Sequence, residues 1–196
     1  GGEASFKLLE LAETMDPDRD HDRLENIVDS LAAIGMNDAL GDAIGKGEFK
    51  PMVIALEAIA RMKGGAGDAI PLIKEAFWEH DQLIQREMMK ALASICGPED
   101  APFFLEVLDR HDDGNVLKGG LYFLGNVLKL HEAGERLFAM LEHPYDDVKE
   151  AAVEACVAVG DDDMVKRFRQ LFRSKDPVDR LMSIFALGRL VPFEEF

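Results

Sequence analysis

Apolar residues recur along this chain with a long period that contains a short one. The last strongly apolar residue of each copy is Ile34, Met62, Ile95, Val127, Val159 and Leu190, at gaps of 28, 33, 32, 32 and 31 residues. Three positions upstream stand Leu31, Ile59, Leu92, Leu124, Cys156 and Leu187, and four further back Ile27, Ala55, Met88, Gly120, Ala152 and Ser183. Spacings of three, four and seven keep side chains on one face of an α-helix. A period near 32 with helical spacing inside each copy predicts stacked helix pairs rather than one closed core. The expected architecture is all-α, an α-solenoid of about six stacked antiparallel helix pairs. Its units fall at about 3–35, 36–64, 66–97, 98–130, 131–160 and 161–190 of a single repeat domain covering 1–196.

Each unit reads as a first helix, a turn and a second helix. The second helices are expected at 22–34, 51–62, 83–95, 115–129, 146–158 and 178–190, the first helices at 3–15, 36–45, 68–78, 100–109, 132–142 and 163–173. Phe6, Leu8, Leu9 and Leu11 form the expected apolar face of the opening helix, and Val165, Phe168, Leu171 and Phe172 that of the last first helix. Asp16-Pro17, His143-Pro144 and Asp176-Pro177 stop one helix and open the next. Asp20, Asp81, Asp113 and Asp147 stand where an N-cap acceptor is needed, and Met62-Lys63-Gly64-Gly65, Cys96-Gly97 and Val159-Gly160 close second helices at glycine.

Two stretches carry a family resemblance. One is Val148-Lys149-Glu150-Ala151-Ala152-Val153-Glu154-Ala155-Cys156-Val157-Ala158-Val159-Gly160. The other is Asp176-Pro177-Val178-Asp179-Arg180, running into Ser183-Ile184-Phe185-Ala186-Leu187-Gly188-Arg189-Leu190. They resemble HEAT repeats of the short, phycobilisome-lyase-like (PBS lyase) kind. The resemblance implies a HEAT-like superhelix with a concave groove lined by second helices, used as a binding scaffold. It also implies that the basic residue early in the second helix pairs with a turn aspartate of an adjoining unit. That residue survives as Lys149 and Arg180, while Leu24, Met52, Gln85 and Leu117 hold the equivalent places. Apolar stacking is therefore expected to supply most of the cohesion between units.

Charge narrows the partners. Lys and Arg total 22 against 38 Asp and Glu, a formal charge of −16. Phosphate backbones and anionic bilayers both demand cations, so no nucleic acid and no membrane is expected, and a protein partner with a basic surface is favoured. Residues 161–196 are neutral, so 1–160 carry the whole excess. Cys96 and Cys156 fall in different units, beyond disulfide reach, and read as free buried thiols in a reducing, cytoplasmic setting. The apolar runs are too short to span a bilayer, and no signal peptide is expected. Gly1-Gly2 reads as a cloning remnant, and the apolar end at Phe193 and Phe196 as a truncation.

Catalytic and metal chemistry find little support. His21, His80, His111 and His143 recur in or near turns, but turns of neighbouring units lie about 8–10 Å apart, whereas metal ligands converge within about 2.6 Å of one ion. A likeness to deoxyhypusine hydroxylase, a HEAT enzyme with a di-iron centre, would need several His-Glu pairs where this chain has His131-Glu132 alone. Asp16-Pro17-Asp18-Arg19-Asp20 and Asp161-Asp162-Asp163 lack the glycine and distal glutamate of a calcium loop. No nucleophile elbow occurs, and Gly64-Gly65-Ala66-Gly67 lacks the Lys-Ser/Thr of a phosphate loop. No cofactor and no metal are expected.

What remains is surface. Arg61, Arg86, Lys90, Lys118, Tyr122 and Asn126 are expected to face the groove of the second helices, with Tyr122 as an aromatic anchor among cations. Gly119-Gly120 either lets a ligand backbone approach or lets helices pack closely. Phe185 belongs to an outward apolar set with Leu181 and Met182 where a terminal repeat should be polar, so either further units follow or this end self-associates. The expected function is a non-catalytic protein-interaction scaffold. The alternative is a lyase-like or chaperone-like accessory that holds a prosthetic group or its acceptor protein.

Overall fold

A computed structural model of the chain describes residues 1–46, 48–62 and 64–192. Lys63 of the expected turn and the apolar residues Phe193 and Phe196 lie outside the described residues. Among the described residues all regular structure is helical, and the chain divides into two compact units, Gly1–Cys96 and Gly97–Phe196.

The first unit holds α1 (Gly2–Glu13), α2 (His21–Ile34), α3 (Asp38–Gly45), α4 (Phe49–Arg61), α5 (Ala69–Phe77) and α6 (Gln82–Ile95). α1, α3 and α5 touch in succession, as do α2, α4 and α6, and each first helix packs on its own second helix. The layer between them is filled by Leu31, Leu40, Ile44, Met52, Leu56, Ile59, Ile73, Phe77 and Met88, all fully buried. Each such aliphatic side chain contributes roughly 1.5–3 kcal/mol of transfer free energy.

The second unit holds α7 (Ala101–Arg110), α8 (Gly114–Leu121), α9 (Gly134–Ala139), α10 (Asp146–Val159), α11 (Asp162–Leu171) and α12 (Pro177–Leu190); α8, α10 and α12 touch in succession, and each first helix again packs on its own second helix. Phe104 and Phe123 stack at 3.9 Å in its core, and Phe168 meets Phe138 edge-on at 5.3 Å.

The two inner registers of the repeat are buried in every copy, from Ile27 and Leu31 to Ser183 and Leu187. The outer register is not: Ile34 is 38% exposed and Val127 45%. For Val127 the cause is local. The helix expected at 115–129 is α-helical only to Leu121 and continues as a π-helical stretch, Tyr122–Val127, which turns less per residue and carries Val127 off the packed face. Gly125 lies in this stretch, so close to α10 that a Cβ there would sit 2.4 Å from the Ala155 Cβ and 2.5 Å from its Cα. The helix expected at 132–142 is also interrupted, with short 3₁₀ turns on either side of α9. In α1 the buried stripe is Ser5, Leu9 and Ala12, while Phe6 and Leu11 are half exposed. Phe6 and Leu11 are five apart and cannot share that stripe. Asn37 donates to the buried Ser5 hydroxyl at 3.0 Å.

Side-chain caps open five of the helices. Asn37, Asp81, Asp113, Asp161 and Asp176 each accept a backbone N–H of the helix they precede. Asp20 instead accepts from the Asp16 N–H, and Asp147 lies inside α10. α10 ends at Gly160 in the left-handed region at φ 63°.

Candidate functional site

α10 and α12 run side by side in the second unit, and the sequence of each explains the groove between them. α10 buries Val148, Ala152, Val153, Ala155, Cys156 and Val159, which leaves Asp146, Glu150 and Glu154 along its outer edge at four-residue spacing. α12 buries only Ser183, Ala186 and Leu187, although more than half of its residues are apolar. Four of its other apolar side chains, Val178, Leu181, Met182 and Phe185, stand at i, i+3, i+4 and i+7 and line the other wall. Leu181 is 67% exposed and Phe185 51%. With Val153 and Lys149 these residues enclose a groove of about 630 Å³.

The groove's charges are partly internal. Arg189 donates to both oxygens of Glu154 at 2.6 and 2.5 Å, and its guanidinium lies 5.4 Å from the centre of the Phe185 ring. Lys149 stands 3.7 Å from Asp146 in its own helix, and Arg180 donates to the carbonyls of Ser174 and Lys175. The turn-aspartate pairing implied for Lys149 and Arg180 is thus replaced by local contacts. Glu150 has no ion-pair partner among the described residues.

The expected groove residues divide between the two compact units. In the first, Arg61 on α4 bridges back to α2, to Glu25 at 2.9 Å and Asp29 at 2.8 Å. The guanidinium holds the Glu25 carboxyl below its ordinary value, and the two acids raise Arg61 in turn. Lys90 on α6 pairs with Glu87 at 2.8 Å, and Arg86 beside it is half-buried. Glu57, within electrostatic reach of Arg61 and Lys90, is pushed up chiefly by burial. In the second unit Lys118 of α8 crosses to Asp147 of α10 at 2.5 Å and depresses that carboxyl. Tyr122 and Asn126 are exposed on the π-helical stretch, Tyr122 at 56%. Of the expected set, Phe185 alone lines the α10–α12 groove, and Arg61, Lys90 and Lys118 each hold a carboxylate partner. Gly120 serves helix packing, since a Cβ there would meet Leu108 at 3.2 Å.

Two of the recurring turn histidines, His111 and His143, have a structural task. His111 Nδ1 accepts from the Asp113 N–H at 3.0 Å and His143 Nδ1 from the Tyr145 N–H at 3.2 Å, while the Ser174 hydroxyl accepts from the Asp176 N–H at 3.1 Å. Three successive turns therefore use the same device, an acceptor two residues before the backbone N–H it receives. Burial pushes His111 below the usual histidine value, which suits a ring nitrogen that must stay bare to accept. Cys156 is buried, its thiol pushed up to about 12, whereas Cys96 is half-buried rather than fully enclosed. Among the described residues no three His, Cys, Asp or Glu side chains converge as a metal site, and no helix is long and apolar enough to cross a membrane. A smaller groove of about 210 Å³ lies in the first unit beside Phe6, Leu9 and Pro51.

The residues that sequence reasoning missed are Val153, Val178 and Arg189. The signal for Val178 was available, because it extends the Leu181, Met182 and Phe185 set by one helical turn. Val153 and Arg189 act across helices, at a distance that one helix's pattern does not encode.

No protein-family model matches the chain, and no curated protein matches it. Solved structures do. A designed armadillo repeat protein in complex with the peptide (KR)4 superposes with a TM-score of 0.56 at 16% identity, covering 95% of this chain and 99% of its own. An engineered protein gives 0.54 at 17% identity, with 95% and 96% covered. A second designed armadillo repeat protein gives 0.54 at 17%, with 97% and 100% covered. The chain is an all-helical repeat solenoid, with the fold of these armadillo-type repeat proteins.

Proposed function

We propose that this chain is a non-catalytic binding scaffold, a repeat domain spanning 1–196 that holds a segment of another protein in the groove between α10 and α12. One observation carries this reading: five apolar side chains, Val153, Val178, Leu181, Met182 and Phe185, line an uncovered groove on a chain of formal charge −16. Proteins that stay free of partners rarely leave contiguous apolar surface open, and rims of charge around such surface mark recognition sites. The complex of one armadillo-type neighbour with a (KR)4 peptide supports peptide capture by this fold. The Asp176-Pro177-Val178-Asp179-Arg180 turn and its helix support the finer assignment to short HEAT repeats of the PBS lyase-like group. The acid excess supports a basic protein partner rather than nucleic acid or an anionic membrane, and free thiols support a cytoplasmic setting. Tyr122 and Asn126 offer the same partner an exposed outer contact. Lys118 can join only by exchanging its present carboxylate, Asp147.

A prosthetic-group reading has one observation in its favour, since about 630 Å³ lies within the range of small-molecule sites. The rim carboxylates Asp146, Glu150 and Glu154 oppose the propionates of a tetrapyrrole, so the protein reading is preferred. A visible absorbance change on adding a bilin would reverse that preference.

Selection from a random peptide-display library tests the scaffold. Peptides selected on the wild-type chain should lose at least tenfold in affinity against Leu181→Asp or Phe185→Asp, and should be unaffected by Phe6→Asp in the first unit. Selected peptides that tolerate both α12 changes but fail against Tyr122→Ala and Lys90→Glu would move the site away from α12. Failure to select any binder would remove the scaffold reading itself.

A further inference from the structure

The two walls of the α10–α12 groove differ, and the difference specifies an occupant. The α12 wall is apolar at i, i+3, i+4 and i+7, from Val178 to Phe185. That arrangement is a helix-packing ridge, and its complement is the apolar stripe of another helix. The α10 wall is a row of carboxylates, Asp146, Glu150 and Glu154, which spans about 12 Å at 1.5 Å per residue. Lys149 and Arg189 answer its two ends, while Glu150 at the centre has no ion-pair partner among the described residues. A ligand that satisfies both walls carries an apolar stripe with Lys or Arg along one flank.

We infer that the groove receives a cationic amphipathic helix, its leucine-like stripe on α12 and its basic flank on α10. This rests on the scaffold reading above and adds the chemistry of the partner to it. Leu181 supplies the central apolar contact, being the most exposed of the wall, and Phe185 closes one end of the stripe under the Arg189 guanidinium. Glu150 supplies the central charge. A purely basic extended peptide meets the carboxylates but leaves α12 wet. A neutral amphipathic helix fills α12 but leaves Glu150 unanswered. A second copy of this chain would bring further acids to an acidic rim, since the chain carries −16 overall.

Fluorescence anisotropy on the full chain decides this with three labelled peptides: an 18-residue Leu/Lys amphipathic helix, the same peptide with each Lys replaced by Glu, and (KR)4. The Leu/Lys helix should bind, and tighter than either other peptide by at least tenfold. Its affinity should fall at least tenfold with Leu181→Asp and severalfold with Glu150→Lys, the latter effect fading in high salt. Both positions are exposed, and circular dichroism of the variants confirms that they remain helical. If the Leu/Glu helix binds as well as Leu/Lys, and Leu181→Asp abolishes both, the groove stands and the cationic occupant is overturned. If (KR)4 binds as tightly as Leu/Lys, the amphipathic requirement is overturned. If sedimentation shows a dimer that Leu181→Asp dissolves, the occupant is a second copy and the inference fails.

Discussion

Gly125→Ala should be among the most damaging single-methyl changes that this chain can suffer. In the π-helical stretch after α8 an added Cβ would lie 2.4 Å from the Ala155 Cβ, 2.5 Å from its Cα and 2.8 Å from its carbonyl oxygen. Two of those three atoms are backbone, so no rotamer change relieves the overlap, and α10 or the stretch itself must move. Replacing glycine by alanine in a helix normally gains up to about 1 kcal/mol. Overpacking a well-filled interior costs about 1–3 kcal/mol and occasionally more. Because backbone must shift here, the upper end of that range should win, for a net loss of about 2 kcal/mol after the helical gain. Gly134→Ala is the matched control. Its Cβ would approach only the Met164 Cε, at 2.6 Å, the end of a flexible side chain. That change should stay within about 1 kcal/mol of wild type. Gly45 has nothing within 4 Å, so Gly45→Ala should be neutral or stabilising. Guanidinium denaturation followed by circular dichroism, compared at midpoint with the slope checked, reads all three. A Gly125→Ala protein as stable as wild type would refute the close approach of this stretch to α10.

Three further outcomes follow from the same contacts. The folded-state value of His111 is depressed below 6.5, so its contribution to stability is present above pH 6.5 and is lost as pH falls below it. His111→Asn keeps a turn acceptor without the titration, so the variant should lose less stability than wild type between pH 7 and 5 in urea midpoints. Cys156, with its thiol pushed up to about 12 and its side chain enclosed, should stay unreactive to a disulfide reagent in native protein at pH 8, and Cys96 alone should titrate. Asp113, buried, accepts from the Asn115 and Val116 N–H groups at 3.0 and 3.1 Å, and Asp113→Ala should cost about 1–2 kcal/mol in the same denaturation assay.

The repeat was legible because burial enforces it. Leu31, Ile59, Leu92, Leu124, Cys156 and Leu187 keep their register because each must fill the layer between first and second helices. Aspartates before helices and Gly160 after α10 announced boundaries by the hydrogen bonds and φ values those positions need. The π-helical stretch was not legible, since the apolar residues of Tyr122–Val127 keep ordinary helical spacing and nothing in that spacing announces i→i+5 bonding. Gly120 and Gly125 were visible only as glycines; what they make room for lies on Leu108 and Ala155. The ion pairs of Arg61 and Lys118 went unread for a related reason. Their acids stand 29 to 36 residues away, at Asp147, Asp29 and Glu25, which is one repeat period and could have been searched for. The outward stripe of α12 was readable from helical spacing, but the acidic wall facing it is a product of helix stacking.

The binding groove can be mapped directly by backbone-amide NMR of the isotopically labelled full chain, titrated with the Leu/Lys amphipathic peptide. Shift changes concentrated at Asp146–Glu154 and at Val178–Arg189, with α1 and α3 unmoved, are the expected result. A footprint centred on the first unit, or saturating peptide with no change along α12, would contradict the assignment of this repeat surface as the place where a partner docks.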